Sequence, residues 1–133
     1  MKAVFVKRPK IRYKPEDFPR RPWVVESDCV YQSELITNLI RVPTGYRTDL
    51  ASVPRVPGIY WRVGNRALLP SIVHDYLFEH NPYGFTRKQA DKIFLESMNL
   101  EKDPPWPTTR WAMYLAVRAF GGTAWRRYRK LAQ

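Results

Sequence analysis

Short apolar runs separated by turn residues dominate the first 48 residues of the chain. Runs of this length, rich in β-branched and aromatic side chains, are typical of strands in a small antiparallel sheet. The last run ends at Pro43, and Gly45 favours a turn there because glycine tolerates positive φ. The predicted strands lie within residues 3–6, 22–25, 29–31 and 35–42.

The pattern becomes helical from Leu68 onward. Pro70 suits the first turn of a helix, and the apolar residues that follow share one helical face. The turn residues at 81–84 end this first helix. Its apolar face consists of Ile72, Val73, Tyr76 and Leu77.

Further helical segments are predicted downstream. Thr86 and Gln89 have the spacing of a capping box, so a second helix is expected to begin near Arg87. A proline-rich stretch then predicts an extended connection. A third helix follows over about residues 109–120, ended by two glycines, and a short basic and aromatic helix covers residues 125–131.

Strands first and helices after them predict an α+β fold, in which a small N-terminal antiparallel sheet precedes three to four helices. A chain of 133 residues has room for one modest core. We therefore expect a single domain over residues 1–133, with residues 1–21 and 123–133 as basic terminal arms.

The net charge of +11 is concentrated at the two ends of the chain. Residues 1–21 hold eight Lys or Arg, and residues 110–133 hold six with no acid, whereas residues 22–109 hold nine basic and ten acidic residues. Basic ends attract nucleic acid or acidic protein surfaces, although such charge runs are also common on solvated faces.

Composition disfavours several classes of protein. No apolar run approaches the length of a membrane span, and the N-terminus lacks the apolar core of a Sec signal. The lone cysteine, Cys29, has no partner for an intrachain disulfide and cannot build a zinc site alone. We expect no membrane span and no Sec-dependent export.

Polar residues from three separate places form a candidate site. Two helices joined by a short loop are normally antiparallel neighbours, so we expect His74 and Asp91 to face each other. The candidates are Asp49 and Ser52 in the loop over residues 43–55, His74 and Asp75 in the first helix, and Asp91 in the second.

A metal site is one interpretation of this set. The candidate ligands are Asp49, His74, Asp75 and Asp91, and carboxylates with one imidazole suit Mg, Mn or Fe better than Zn. The His74-Asp75 pair is similar to that of metal-dependent HD phosphohydrolases. The chain lacks the upstream histidine that such a site needs, since His80 is downstream, and this argues against membership of that family.

Hydrolysis is a second interpretation. Ser52 and His74, with Asp49 or Asp91 orienting the imidazole, are the residue types of acyl transfer. These four residues are therefore the catalytic candidates. Ser52 lacks a Gly-x-Ser-x-Gly elbow, and no oxyanion-hole signature lies beside it.

Two interpretations involve no reaction. In a binding site, Arg47, Thr48, Arg55 and Asp75, together with Ser52 and His74, would hold a phosphate, a sugar or a carboxylate. In a buried hydrogen-bond network, Asp49 would cap the loop and Asp91 would hold His74. Arg47 or Arg55 would then pair with Asp75.

The last predicted helix mixes aromatic and cationic side chains in a way that is difficult to use as core. We interpret it as a docking patch for a protein partner or nucleic acid. The patch consists of Trp125, Arg126, Arg127, Tyr128 and Arg129.

Three motifs appear in a fixed order: TDLASVPR at residues 48–55, HDYL at 74–77, and ADxxF at 90–94 with Met98 after it. In these motifs the chain resembles an uncharacterised domain family common in tailed phages and prophages, over roughly residues 40–122. The resemblance implies a phage or prophage origin and a virion component. It implies no catalytic assignment.

We therefore expect a virion-associated structural protein of the tail or head-tail region, which docks onto other virion proteins. It would reside in the virion, or in the host cytoplasm during assembly, and would need no cofactor. The alternatives are a hydrolase acting on a cell-envelope polymer or phosphoester, with or without a divalent metal, and a basic nucleic-acid-binding protein. The oligomeric state is left open.

Overall fold

The computed structural model describes residues 2–50, 52–53, 67–101 and 104–131. The chain forms two compact units, Met1–Leu50 and Ala51–Gln133. The regular elements described in the first unit are strands, and those described in the second are helices. The predicted α+β fold is thus confirmed, while the single domain with basic terminal arms stays a prediction.

The described part of the first unit contains two antiparallel sheets of three strands each. One sheet has the strand order β1 (Val4–Lys7), β4 (Cys29–Gln32), β5 (Leu39–Val42), and the other has the order β2 (Ile11–Tyr13), β3 (Trp23–Val25), β6 (Arg47–Thr48). The sequence predicted one sheet, because β2 and β6 of the second sheet have only three and two residues and show no alternation.

Strand β4 is the most deeply buried strand of this unit, with all four residues buried. Its Tyr31 ring packs against Phe5 of β1 with 4.7 Å between ring centroids. The strand predicted over residues 35–42 forms only in its second half, as β5. Before it, the Gln32 side-chain amide donates to the carbonyls of Ser33 and Ile36, which holds the chain in a bend.

The turn predicted after β5 is present. Gly45 has a φ of 93°, which a residue with a side chain rarely adopts. Its N–H donates to the Val25 carbonyl at 2.7 Å, and the Val25 N–H donates to the Tyr46 carbonyl at 2.9 Å. These bonds fasten the turn to β3.

Four helices lie in the described part of the second unit. The predicted capping box opens the second of them: the Thr86 hydroxyl accepts from the Gln89 N–H at 3.1 Å, and the Gln89 side chain accepts from the Thr86 N–H at 2.8 Å. The third helix begins two residues earlier than predicted because Pro107 takes its first position. The helices are α1 (Leu68–Glu79), α2 (Arg87–Met98), α3 (Pro107–Phe120) and α4 (Gly122–Leu131).

Helix α2 packs against both α1 and α3, and the core of the unit forms where they meet. Its buried side is built around Phe94 and Met98, which α3 covers with Met113 and Val117. This packing places the polar residues of α1, α2 and α3 next to one another.

A single turn residue, Gly121, separates α3 from α4. The helix ends at the glycines as predicted, and the φ of −76° at Gly121 is right-handed, so the end has no left-handed cap. A Cβ atom at Gly121 would lie 2.5 Å from the Val117 carbonyl oxygen, which leaves room for glycine alone. Within the described residues, no helix has the length and apolar character needed to cross a membrane.

Candidate functional site

A line of hydrogen bonds joins Ser52, His74 and Asp91 inside the helical unit. The Ser52 hydroxyl lies 3.0 Å from His74 Nδ1, and His74 Nε2 lies 2.7 Å from Asp91 Oδ1. His74 comes from α1 and Asp91 from α2, so the two helices face each other through these side chains as expected. All three residues are buried, with at most 1% of their surface exposed.

The proton positions along this line follow from the groups involved. A carboxylate only accepts hydrogen bonds, so Nε2 of His74 bears the proton that Asp91 receives. Nδ1 then accepts from the Ser52 hydroxyl when the ring is neutral, and donates to it when the ring is protonated. Both ring nitrogens of His74 are therefore satisfied by protein groups.

Two guanidinium groups approach the second oxygen of Asp91. Arg118 Nη1, from the last turn of α3, lies 2.8 Å from Asp91 Oδ2, and Arg87 Nη1, one turn before Asp91 in α2, lies 3.5 Å from it. Arg87 Nη1 also donates to the carbonyls of Val117 and Arg118, both at 3.1 Å. Arg87 thus caps the C-terminus of α3 where the helix dipole favours a cation.

Two aromatic rings flank the imidazole of His74. Its ring centroid is 4.3 Å from that of Phe78, one turn along α1, and 5.0 Å from that of Phe94 on α2. Such surroundings exclude water and fix the ring plane, so His74 is held by both packing and hydrogen bonds.

Asp75 accepts a hydrogen bond from the backbone of Ser52. Its Oδ1 accepts from the Ser52 N–H at 2.9 Å, and the residue is 1% exposed. Since His74 and Asp75 are adjacent on α1, one helix fixes both the hydroxyl and the backbone of Ser52.

The remaining loop candidates belong to the first unit or lie outside the described residues. Arg47 donates to the carbonyls of Arg21 and Lys14 at 3.2 and 3.3 Å. The Thr48 hydroxyl accepts from the Leu50 N–H at 2.9 Å, and Asp49 is half-buried beside it. Arg55 lies outside the described residues, so its predicted role in ligand binding, like that of Arg47, Thr48 and Asp75, stays a prediction.

The predicted metal ligands were Asp49, His74, Asp75 and Asp91. Among residues 2–50, 52–53, 67–101 and 104–131, no three His, Cys, Asp or Glu side chains are grouped so as to hold an ion. In the observed arrangement the nitrogens of His74 are taken by Ser52 and Asp91, and a metal would have to replace one of these partners.

The Ser52-His74-Asp91 line has the residue types of a serine hydrolase, with two differences from a working triad. In the Ser-His-Asp template, Nε2 faces the serine and Nδ1 faces the aspartate; here the two nitrogens are exchanged. The Ser52 N–H also donates to Asp75 rather than pointing at a developing oxyanion. The geometry is that of a closed network with both ends occupied.

The segment predicted as a docking patch contains both packed and exposed side chains. Trp125 meets Phe78 edge-on with 5.1 Å between centroids, Tyr128 is buried, and Arg129 Nη2 donates to the Phe78 carbonyl at the end of α1. Burial lowers the pKa of Arg129. Part of this aromatic and cationic mixture serves as packing, since Arg129 caps α1 and lies over the Trp125 ring. The docking role of the segment stays a prediction.

Of the five residues in that segment, Arg126 and Arg127 are exposed. Among the described residues of this unit, exposed large apolar side chains are concentrated on and just before α3, where Trp106, Trp111 and Leu115 are 73%, 55% and 60% exposed. On the helix itself, the large apolar side chains of Trp111 and Leu115 are turned outward.

Two arginines of the network were missed by the sequence analysis. Arg87 had a detectable signal, because it precedes Asp91 by four residues, the spacing of an ion pair on one helix. Arg118 is 27 residues from Asp91, and no local pattern links them.

A family model described as "Protein of unknown function (DUF1353)" matches residues 23–117, from β3 to the last turn of α3. No curated protein and no solved structure matches the chain. Ser52, His74 and Asp91 lie within the matched region, whereas α4 lies outside it.

Proposed function

Because the chain belongs to the DUF1353 family, whose function is unknown, we propose a function from its geometry: it is a structural, partner-docking protein of a phage or prophage particle. The Ser52-His74-Asp91-Arg118 network is the fold-specifying centre of its helical unit. The phage setting rests on the resemblance of the three polar motifs.

The observation that carries this proposal is the closure of the network. Each polar group in the line has a protein partner, from the Ser52 hydroxyl to the Arg118 guanidinium. A nucleophile has to come within about 3–3.5 Å of the atom that it attacks. Ser52 is 1% exposed, and its hydroxyl and N–H are both used internally, so this arrangement supports a scaffold rather than a reaction centre.

A satisfied polar network suits a protein that must hold one shape. Each bond in the line connects different elements: Ser52 to α1, α1 to α2 and α2 to α3. Alternative packings of these helices would leave charged groups buried without partners, which is costly. The network therefore favours a single arrangement of α1, α2 and α3.

The composition of virus particles tests the proposed function. Particles of the encoding phage or prophage are purified on a density gradient and analysed by quantitative mass spectrometry. We expect a fixed number of copies of the chain per particle, retained after a high-salt wash. Absence from intact particles would overturn the structural proposal.

A hydrolase is the second candidate, because the Ser52-His74-Asp91 line has the residue types of a catalytic triad. A fluorophosphonate probe distinguishes the two candidates, since it labels an activated serine. The scaffold predicts no labelling of the folded protein. Labelling that disappears in Ser52→Ala but persists in Ser97→Ala, another buried serine, would favour the hydrolase.

A further inference from the structure

The inference that follows rests on the proposed docking function and specifies its surface and partner. We propose that the exposed side of α3 binds an acidic protein surface with an apolar centre. We name this side the α3 face, and it comprises Trp106, Thr108, Trp111, Leu115 and Ala119, all exposed.

The α3 face combines large apolar side chains with regular spacing. Thr108, Trp111, Leu115 and Ala119 recur at intervals of three and four residues, so they form one stripe along the helix. Trp106 immediately precedes the helix and is 73% exposed. Exposed clusters of this kind mark interaction sites, and tryptophan is enriched among the residues that dominate binding energy.

Packing on the opposite side of α3 fixes the position of the stripe. Met113, Ala116 and Val117 on the opposite side of α3 are buried, and Arg87 caps the C-terminus of the helix. The Trp111 ring meets Tyr114 edge-on with 5.7 Å between centroids, which restricts its orientation. A preordered face loses little conformational entropy on binding, as favourable association requires.

The charge of the segment that carries the α3 face indicates the kind of partner. Residues 104–131, which contain α3 and α4, hold six Lys or Arg and no Asp or Glu. Helix α4 follows directly and packs against α3, with Arg126, Arg127 and Lys130 exposed. A surface with carboxylates around an apolar centre would complement both features.

The same charge distribution disfavours other occupants. In a dimer formed through this face, two pairs of helices whose charged residues are all cationic would meet, and like charges in an interface repel each other. Nucleic acid would be held mainly by contacts from the α4 cations to phosphates, and it would leave the apolar side chains of the α3 face, which includes no cation, without a partner. An acidic protein surface is therefore favoured over either.

Binding of designed peptides to the purified full-length chain tests the inference. The probe is an amphipathic helical peptide of about 18 residues, with Leu and Phe on one side and Glu on the other. The same peptide with Lys in place of Glu is its matched partner. We expect the Glu peptide to bind and to weaken as salt rises, and the Lys peptide to bind at least about tenfold more weakly.

Substitutions then locate the binding site. In Trp111→Ser/Leu115→Ser we expect affinity for the Glu peptide to fall more than about tenfold with helicity unchanged, because both side chains are exposed. The control Leu35→Ser removes a leucine of similar exposure from the first unit and should leave affinity unchanged. No binding of the Glu peptide, or equal binding by the double variant, would overturn the inference.

Two further outcomes would overturn the inference that the α3 face binds an acidic protein. Sedimentation with phosphatidylcholine/phosphatidylserine vesicles that depends on Trp111 and Leu115 would assign the face to a membrane. A dimer in analytical ultracentrifugation that the same double variant disperses would assign it to a second copy.

Particle composition separates this inference from the proposed function. If the wild-type chain is present in particles and the double variant is retained equally, the α3 face is not the docking surface, although the structural role stands. If the wild-type chain is absent from particles, the structural role fails, and peptide binding still decides the inference about the face.

Discussion

The Asp91 carboxylate joins the His74 imidazole across the α1–α2 interface at 2.7 Å, with both side chains completely excluded from solvent. A buried carboxylate is tolerated only when its charge and its lone pairs are compensated. Asp91 meets this requirement with His74 on one oxygen and two arginines on the other. Asp91 is therefore the residue on which the alignment of α1, α2 and α3 depends.

We expect Asp91→Asn to lower the free energy of unfolding by about 2–4 kcal/mol, because it leaves cationic groups without their buried counter-ion. The loss stays below that of a fully buried pair, since the Arg118 side chain is 31% exposed and can regain water. Urea denaturation followed by circular dichroism measures it.

A double-mutant cycle with Arg118→Met isolates the pair. If the two substitutions destabilise the protein additively, Asp91 and Arg118 do not interact and this account of the network is wrong. Lys92→Ala provides the control, because Lys92 follows Asp91 on α2 and is exposed.

Ser52→Ala should destabilise the protein by about 1–2 kcal/mol, because it removes the partner of His74 Nδ1 inside a buried site. Nitrogen NMR of the imidazole reports the change directly. We expect Nε2 to remain protonated toward Asp91 and the Nδ1 resonance to shift. An unchanged Nδ1 resonance would mean that the serine does not contact the ring.

The partnership of His74 with Asp91 was predictable because a short loop between two helices restricts their packing to an antiparallel neighbour. The complete burial of the site was not predictable. His74 is not among the apolar residues predicted for the buried face of its helix, and its burial follows from Phe78 and Phe94, which lie on different helices. The role of Arg118 depends on how α3 packs, which local pattern does not encode.

The strands were likewise predictable only in part, because some of them depend on tertiary contacts. The runs that became β1, β3 and β4 were detectable from composition, whereas β2 and β6 exist because a central strand supplies their hydrogen bonds. Trp125 shows how tertiary contacts change a prediction made from local sequence. Its cationic neighbours indicated an exposed patch. In the structure, Arg129 binds a carbonyl at the C-terminus of α1, and the Trp125 ring packs against Phe78.

Gly121→Ala should destabilise the helical unit by roughly 1–3 kcal/mol, because the added Cβ would lie 2.5 Å from the Val117 carbonyl and 3.4 Å from Arg87 Nη1. Gly122→Ala is the matched control. Its Cβ would meet only the movable end of the Arg126 side chain, and alanine favours a helix by about 0.5–1 kcal/mol. Equal denaturation midpoints for the two variants would refute the close contact at Gly121.

Asp28 in the first unit should titrate abnormally. Hydrogen bonds from the Thr44 hydroxyl and N–H hold the pKa of its carboxyl below the ordinary aspartate value, with nearby Lys7 and Arg41 adding to the effect. A lowered pKa gives stability that is present above the unfolded pKa and lost as pH falls through the folded pKa. In NMR titrations, Thr44→Val should raise the Asp28 pKa and Thr37→Val, at an exposed threonine, should not.

Cys29 should be chemically inert in the folded protein. The residue is 0% exposed, and burial raises the pKa of its thiol to about 12 despite the opposing charge of Arg8. Since the thiolate is the reactive form, Ellman's reagent at pH 8 should react with Cys29 only at the rate at which the protein unfolds. Rapid labelling in the absence of denaturant would contradict the burial of β4.

The same shift makes stability depend on pH in a defined direction. An unfolded thiol loses its proton near pH 8.5, whereas the folded one keeps it until about pH 12. The contribution of Cys29 is therefore complete below about pH 8.5 and declines above it, by up to about 1.4 kcal/mol per pH unit. Cys29→Ala cannot lose a proton at this position, so the stability of the wild type relative to this variant should be constant from pH 6 to 8 and fall between pH 9 and 11. A relative stability that does not change with pH would show that the thiol titrates alike in the folded and unfolded chain.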